Sequence, residues 1–143
     1  MIEFRHGDRP PIDTVIALYR ATSLGARRPV DDRDRMAGMF ENSNILVTAW
    51  DDDHLVGLSR AMSDLGWVVY VADLLVHEDW QRRGIGAALL EQTHKAAGGE
   101  DDITLILVAA PEAMTYYQSL GYDKIAEGWR RSRRLNPLST DPR

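Results

Sequence analysis

Apolar residues near the start of the chain recur at the spacing of two helices. The first covers "PPIDTVIALYRATSLG", where Ile12, Ile16 and Tyr19 fall on one face. Pro11 suits a first helical turn, and Gly25 can end the helix. A second, shorter helix is predicted for "DDRDRMAGMFENS", and the stretch "IEFR" before both is predicted to be a short first strand.

The middle of the chain alternates apolar runs with turn residues. The runs are "NILVTAW", "LVGLSRAMS" and "WVVYVADLLV", and the turns between them are "DDDH" and "DLG". Runs of this length that are joined by short polar turns are typical of hairpins. We therefore predict three consecutive strands in an antiparallel meander.

The rest of the chain predicts two helices and three strands. Helical spacing runs through "IGAALLEQTHKAA" up to the pair Gly98 and Gly99, and "PEAMTYYQSLG" has a helix-first proline and a closing glycine. The continuous apolar run "ITLILVAA" is typical of a strand that is covered on both faces, and "YDKIAEG" and "WRRSRRL" complete the series. The sum is a single α+β domain over 1–135, with four helices and a mixed, mostly antiparallel sheet of about seven strands. A disordered tail is predicted for 136–143.

Composition narrows the classes of protein that fit this fold. The 143 residues are 44% hydrophobic and 27% charged, which is usual for a globular domain. No apolar run approaches the ~20 residues of a membrane span, and "MIEFRHGDRPP" has no apolar signal core, so we expect a cytoplasmic protein without a membrane partner. The net charge of -5 argues against nucleic-acid binding. With no cysteine and no metal spacing among the four histidines, no metal is expected.

One stretch, "QRRGIGAALL", places two glycines where a helix is about to begin. Unpaired N–H groups and the positive end of the dipole lie at a helix N-terminus, and Gly84 and Gly86 would let a ligand approach that backbone. Arg82 and Arg83 add positive charge, so the stretch predicts an anion site, best suited to a pyrophosphate. A dinucleotide-binding fingerprint and a P-loop both need a glycine at the position of Leu89, so the stretch matches neither motif. A strand-to-helix turn without a ligand stays an alternative.

The context of this turn resembles the GNAT (Gcn5-related N-acetyltransferase) superfamily. The segment "DLLVHEDWQRRGIGAALLEQ" is similar to the family's acetyl-CoA motif, and "AMTYYQSLGY" resembles its second signature. The positions that match are Gln81, Arg82, Arg83, Gly84, Ile85 and Gly86, followed by Ala113, Tyr116, Tyr117, Leu120, Gly121 and Tyr122. The order of elements is also the family's, and "LVGLSRAMSD" and "VADLLV" are similar to small bacterial and plastid amine N-acetyltransferases.

The resemblance implies where acetyl-CoA would lie. The strands that carry Val76 and Ile106 would splay apart, the backbone of residues 74–76 would pair with the pantetheine arm, and the turn would hold the pyrophosphate. The implied cofactor-binding residues are Leu74, Leu75, Val76, Gln81, Arg82, Arg83, Gly84, Ile85, Gly86 and Ala87. Tyr117 would sit near the thioester sulfur, and many relatives pair as homodimers.

Amide formation makes three demands that name further candidates. At about pH 7.4 an amine of pKa 10.4 is roughly one part in a thousand neutral, so it must lose a proton. The thioester carbonyl must be polarised, for which backbone N–H groups near Leu75 or Val76 are candidates, and the thiolate must be stabilised, for which Tyr117 is the candidate acid. Asp73 is the candidate base. It is the only acid in an apolar strand, and burying a charge without a partner is costly. The possible roles are proton acceptance through water, ammonium binding, a turn cap, or pairing with an arginine such as Arg60.

These observations predict an acetyl-CoA-dependent N-acetyltransferase that acts directly on a primary amine. Net acidity and Asp73 favour a small amine, such as an aralkylamine or a polyamine, over an anionic acceptor. Tyr19, Trp67 and Tyr70 are candidate pocket aromatics, with core packing as the alternative for each, and Asp64 is a weaker acceptor-site candidate whose alternative is a turn. Two other functions stay open: a non-catalytic acyl-CoA sensor, and acetylation of a protein N-terminus or lysine.

Overall fold

The computed structural model describes residues 1–134, so the predicted tail over 136–143 lies outside the described residues. Nine helices and strands follow one another: β1 (Ile2–His6), α1 (Ile12–Arg20), α2 (Arg33–Glu41), β2 (Ile45–Asp51), β3 (His54–Ser63), β4 (Val68–Val76), α3 (Ile85–Ala97), β5 (Thr104–Leu107) and α4 (Met114–Ser119). Short 3₁₀ turns cover Ser23–Arg27, Glu78–Trp80 and Pro111–Ala113. Within 1–134, no helix combines the length and the apolar character that a membrane crossing needs.

The strands form one mixed sheet in the order β1-β2-β3-β4-β5. The first three neighbouring pairs are antiparallel, and β4 pairs with β5 in parallel. This confirms the predicted α+β class, the meander and the mixed sheet, and the described part of the chain contains the four predicted α-helices.

The prediction of about seven strands is wrong for the described residues, which form five. The two missing strands are "YDKIAEG" and the part of "WRRSRRL" that ends at Arg134. Tyr122 and Ile125 are three positions apart, so they cannot share one face of a strand. Trp129 is 98% exposed and stands beside a run of arginines, so this segment has no apolar face to bury.

The chain divides into two compact units, Met1–Leu107 and the part from Val108 onward. In the first unit the main core lies between one face of the sheet and the helices α1 and α2. It comprises Val15, Ile16, Leu18, Tyr19, Met36, Phe40, Leu46, Leu55, Leu58 and Leu75. Helix α3 covers the other face so closely that a Cβ on Gly57 would lie 3.0 Å from Leu89 Cδ1.

A β-bulge interrupts β4 at Ala72. Arg60 of β3 stands opposite Asp73, but the next residue, Ala61, stands opposite Val71, so Ala72 has no partner on β3. The parallel partner stops at the same level, because Leu107, the last residue of β5, stands opposite Val71. Within the described residues, the strand from Asp73 to Val76 therefore has a ladder partner on its β3 side alone.

Two element ends differ from their predictions for local reasons. Helix α1 ends at Arg20 rather than near Gly25, because the Thr22 hydroxyl accepts a hydrogen bond from Leu24 N–H at 3.2 Å and caps the following 3₁₀ turn. Strand β5 covers Thr104–Leu107, half of the predicted "ITLILVAA". Because β5 is short, the end of β4 has an open edge on that side, and this edge is part of the candidate site.

Candidate active site

The open edge of β4 presents backbone groups at alternate residues. His77 N–H donates to Val56 C=O at 2.8 Å, which marks these two as a hydrogen-bonded pair of the antiparallel ladder. Alternation along the strand then directs the backbone groups of Leu75 towards β3, and those of Leu74 and Val76 towards the open edge. Of the three strand residues predicted to pair with pantetheine, Leu74 and Val76 have the required orientation.

The turn that follows β4 leads into an uncovered helix N-terminus. Gly84 has φ +78°, a left-handed conformation that favours glycine, and an added Cβ would meet nothing within 4 Å. The first helical bond runs from Ala88 N–H to Gly84 C=O at 3.1 Å. The N–H groups of Ile85, Gly86 and Ala87 therefore precede the helical ladder, at the positive end of the 13-residue helix α3.

Side chains of the turn itself fix its position against β4. Gln81 Nε2 donates to Val76 C=O at 3.0 Å, and Arg83 Nη2 donates to Asp79 C=O at 3.2 Å. Just before the turn, Trp80 Nε1 donates to the carboxylate of Asp51 at 3.0 Å. These contacts hold the predicted phosphate turn beside the open edge of the strand.

Arg82 differs from its neighbours in this turn. It is exposed and has φ +65°, which is uncommon for a residue with a side chain. The structure places its side chain in no hydrogen bond or ion pair within 1–134. The predicted cofactor-binding residues thus lie along the end of β4, the turn and the start of α3. Gln81 and Arg83 hydrogen-bond to the backbone there, Arg82 is exposed, and Leu75 and Ile85 are buried.

Asp73, the residue that follows the bulge, lies at the centre of a buried charged cluster. Its side chain is 0% exposed, and Oδ2 accepts from Tyr19 Oη at 2.6 Å and from Arg60 Nε at 2.8 Å. Oδ1 accepts from Arg28 Nε at 2.6 Å. Of the alternatives for Asp73, pairing with Arg60 is present in the structure, and the role of general base stays a prediction.

Burial and ion pairing fix the protonation of the groups around Asp73. Burial raises the pKa of Tyr19 well above 10, and the neighbouring Asp73 charge and hydrogen bond raise it further. Burial lowers the pKa of Arg60, but the attraction and hydrogen bond of Asp73 outweigh that effect and leave it raised. Arg60 also donates from Nη1 to Ser43 Oγ at 3.1 Å. Tyr19 in this cluster is therefore a neutral phenol, and Arg60 is a guanidinium cation.

Sequence reasoning missed Arg28 and only partly identified Tyr19. Arg28 is 45 residues from Asp73 and belongs to the segment between α1 and α2, so no local pattern connects the two. Tyr19 is fully buried and stacks edge-on against Phe40 at 5.9 Å, which confirms core packing, the alternative to pocket lining. The sequence signal for this cluster is the single acidic residue in an apolar strand, because a buried carboxylate requires cationic partners.

The remaining acceptor-side candidates lie at the β3–β4 hairpin. Asp64 Oδ1 accepts from the N–H groups of Gly66, Trp67 and Val68 at 3.0, 2.8 and 3.0 Å, which is the turn role. These backbone bonds lower the pKa of Asp64. Trp67 is 74% exposed, and Tyr70 lies on an open depression of about 520 Å³ that Asp64 also lines.

The second unit contains helix α4, which carries Tyr117. Tyr117 is half-buried in α4, and its ring contacts Tyr116 and Tyr122 edge-on at centroid distances of 5.3 and 5.9 Å. Burial, together with the two neighbouring phenols, raises the pKa of Tyr117 to about 12. At neutral pH this side chain therefore carries a proton and can donate it.

Comparison with solved structures identifies the fold. A probable acetyltransferase from meticillin-resistant Staphylococcus aureus has a TM-score of 0.75 at 22% identity, covering 93% of this chain and 99% of that one. An aminoglycoside N-acetyltransferase in complex with CoA has a TM-score of 0.70 at 14% identity, covering 94% and 96%. At these identities the structures show the fold alone.

Sequence comparison adds the family itself. An uncharacterised N-acetyltransferase from Pyropia yezoensis is 29% identical over 93 residues, which are 62% of this chain and 53% of that protein. The chain thus spans about half the length of this curated relative. The family model of the acetyltransferase (GNAT) domain matches residues 24–133, more than half of the chain. The chain therefore belongs to the GNAT acetyltransferase family.

Proposed function

We propose that this chain transfers the acetyl group of acetyl-CoA directly to a primary amine. The observation that carries the proposal is the continuity of the open β4 edge with the glycine turn. Val76 and Gly84 stand eight positions apart, and Gln81, which lies between them, donates a hydrogen bond to Val76 C=O. The strand edge can form hydrogen bonds with amide groups. The cationic turn and the helix N-terminus that follow it can bind a phosphate.

The residues present fit acetyl-CoA as the co-substrate. Gly84 leaves open space above the backbone, and the first N–H groups of α3 have no helical acceptor, so a pyrophosphate would find donors there. Arg82 would supply a guanidinium to the same anion. Leu74 and Val76 would give backbone partners to the amides of the pantetheine arm, as an added strand does.

For the chemistry, we assign the protonation of the departing thiolate to Tyr117. Its phenol keeps a proton at neutral pH, because burial raises its pKa to about 12. Backbone N–H groups of the open edge would polarise the thioester carbonyl. Bound acetyl-CoA would supply the activated acyl group, and the chain's part is to orient it and to deliver one proton to sulfur.

The fate of the amine proton follows from the burial of Asp73. With its side chain 0% exposed and three donors already on its two oxygens, Asp73 offers no surface that an amine could contact. Direct ammonium binding is therefore not part of the proposal. Asp73 can take the amine proton only through a relay across the groups that surround it, and water is the simpler acceptor.

The acceptor class is proposed as a small primary amine, including aralkylamines and polyamines. The support is the net charge of -5, which attracts cations, and the exposed ring of Tyr70 at the depression beside Asp64. The aminoglycoside acetyltransferase with the same fold acts, by its name, on an amine-bearing small molecule. A panel of amines, acidic amino acids, alcohols and lysine peptides tests this class. Acetylation of alcohols or acidic amino acids alone would reject it.

Three further properties of the whole protein are proposed. The family resemblance suggests a homodimer, for which the exposed Trp129 offers apolar surface, while the other residue suggested for that contact, Leu135, lies outside the described residues. The other two are a cytoplasmic location and a domain that extends over 1–135. Light scattering tests the homodimer, and fractionation of expressing cells tests the location.

A further inference from the structure

Arg28 joins three parts of the first unit through one guanidinium. Its Nε donates to Asp73 Oδ1 at 2.6 Å, its Nη2 donates to Ala72 C=O at 3.1 Å, and its Nη1 donates to Arg27 C=O at 2.9 Å. The side chain is 27% exposed, and it reaches β4 from the segment between α1 and α2. A single side chain therefore contacts the bulged backbone, the buried carboxylate and its own segment.

The bulge explains why β4 needs this contact. Ala72 has no partner on β3, and β5 has already ended opposite Val71, so sheet pairing leaves the Ala72 carbonyl without a donor. An unpaired carbonyl that is partly buried is costly. Arg28 supplies the donor, and the opposite end of the edge is held in the same way, since Gln81 Nε2 donates to Val76 C=O.

We propose that Arg28 is a positioning residue, which sets the orientation of the peptide groups from Ala72 to Val76 for acetyl transfer. This inference rests on the proposed function, because it gives the open edge of β4 a catalytic use. Arg28 contacts no substrate in the proposal. It acts through Ala72 and Asp73, while Arg60 and Tyr19 hold the second oxygen of that carboxylate in place.

The geometry of the contact calls for arginine. Nε and Nη2 both lie 2.6 Å from Asp73 Oδ1, Nη2 also donates to Ala72 C=O, and Nη1 donates to Arg27 C=O, which the planar fork of a guanidinium allows. A lysine at this position has one nitrogen in place of three, so it cannot keep the bonds to the carboxylate and both carbonyls together. The charge alone therefore does not replace the side chain.

Arg28→Ala tests the proposal, with Arg28→Lys and Arg20→Ala beside it. Arg20, the last residue of α1, is the matched control, because it pairs at 2.8 Å with Asp31 of the segment that carries Arg28 and both side chains are exposed. We expect kcat of Arg28→Ala to fall about 10- to 100-fold, the scale of a small misplacement of reacting groups, while KM for acetyl-CoA changes little. Arg28→Lys should recover part of the loss, and Arg20→Ala should match the wild type.

Two further readouts separate positioning from general stabilisation. Guanidinium ion below its denaturing concentration should restore turnover to Arg28→Ala in a saturable way, because the vacated site is open to solvent, and should leave the wild type and Arg20→Ala unchanged. Amide hydrogen exchange at Ala72–Val76 should speed up at least about tenfold in Arg28→Ala while α3 stays protected. The exchange experiment uses no substrate.

The outcomes decide between the two proposals. Unchanged kcat in a folded Arg28→Ala, or unchanged exchange at Ala72–Val76, overturns the role of Arg28. If the wild type acetylates no acceptor, the proposed function fails, and the exchange rates still show whether Arg28 holds this edge. If Arg28→Ala does not fold, the same measurements on Arg28→Lys and Arg28→Gln decide, with turnover in Arg28→Lys equal to the wild type as the contradicting result.

Discussion

Replacing Asp73 by asparagine tests whether the buried cluster is an interdependent unit. The change keeps the shape of the side chain and removes its negative charge. One carboxylate oxygen becomes an amide nitrogen, which cannot accept, so either the bond from Arg28 or the two bonds from Tyr19 and Arg60 are lost. Two guanidinium groups then share a buried site without a counterion.

The size of the effect follows from the exposure of each partner. The Arg60 side chain is only 10% exposed, so it cannot turn to water, whereas Arg28 is 27% exposed and can relax in part. Breaking a buried ion pair by removing one partner typically costs about 3–5 kcal/mol. We expect that loss in the free energy of unfolding, which is a large part of the ~5–15 kcal/mol of an average domain.

Urea unfolding followed by circular dichroism measures the loss, with equal m-values as the condition for comparing midpoints. Asp13→Asn is the control, because Asp13 pairs with Arg33 at 2.9 Å on the surface, where both side chains are mostly exposed. Its midpoint should match the wild type. A loss below about 1 kcal/mol for Asp73→Asn would refute the reasoning, since an independent surface pair has that value.

Three further predictions concern binding, chemistry and pH. Gly86→Val should weaken CoA binding in calorimetry, because a branched side chain would stand where the phosphate approaches the turn, and unchanged affinity in a folded variant would refute the site. Tyr117→Phe should lower turnover by roughly 10²-fold with CoA affinity unchanged, and near-normal chemistry-limited turnover would make Tyr117 structural. Stability should fall as pH rises above about 10, because an unfolded tyrosine ionises there while folded Tyr19, whose pKa is raised, does not. The fall should be smaller in Tyr19→Phe, and an equal fall would contradict it.

Local signals in the sequence were sufficient for α3 and its turn. The predicted helix "IGAALLEQTHKAA" coincides with Ile85–Ala97, because Gly84 and Gly98, both at positive φ, stand directly outside its two ends. A glycine at a helix boundary determines its own conformation and needs no tertiary partner. The same holds for Asp64, whose turn bonds reach residues two to four positions ahead.

Long-range pairing accounts for what the sequence did not reveal. The bulge at Ala72 exists only relative to the register of β3, and "VVYVADLLV" reads as an uninterrupted strand. Arg28 is one of several arginines in polar segments of the sequence, and only the folded chain brings it to Asp73. The two predicted final strands failed for a related reason, because strand formation there requires a covered apolar face that Ile125 and Trp129 do not make.

The most direct test of the central claim is the ratio of acetylated amine to free CoA thiol that the wild-type protein forms from acetyl-CoA and the amine panel. The account predicts one acetylated amine for each thiol released, with both abolished or strongly reduced by Gly86→Val. Thiol release without an acetylated amine, or CoA binding without either product, would contradict it. The second result would favour the acyl-CoA sensor, and acetylation confined to lysine peptides would favour a protein acceptor.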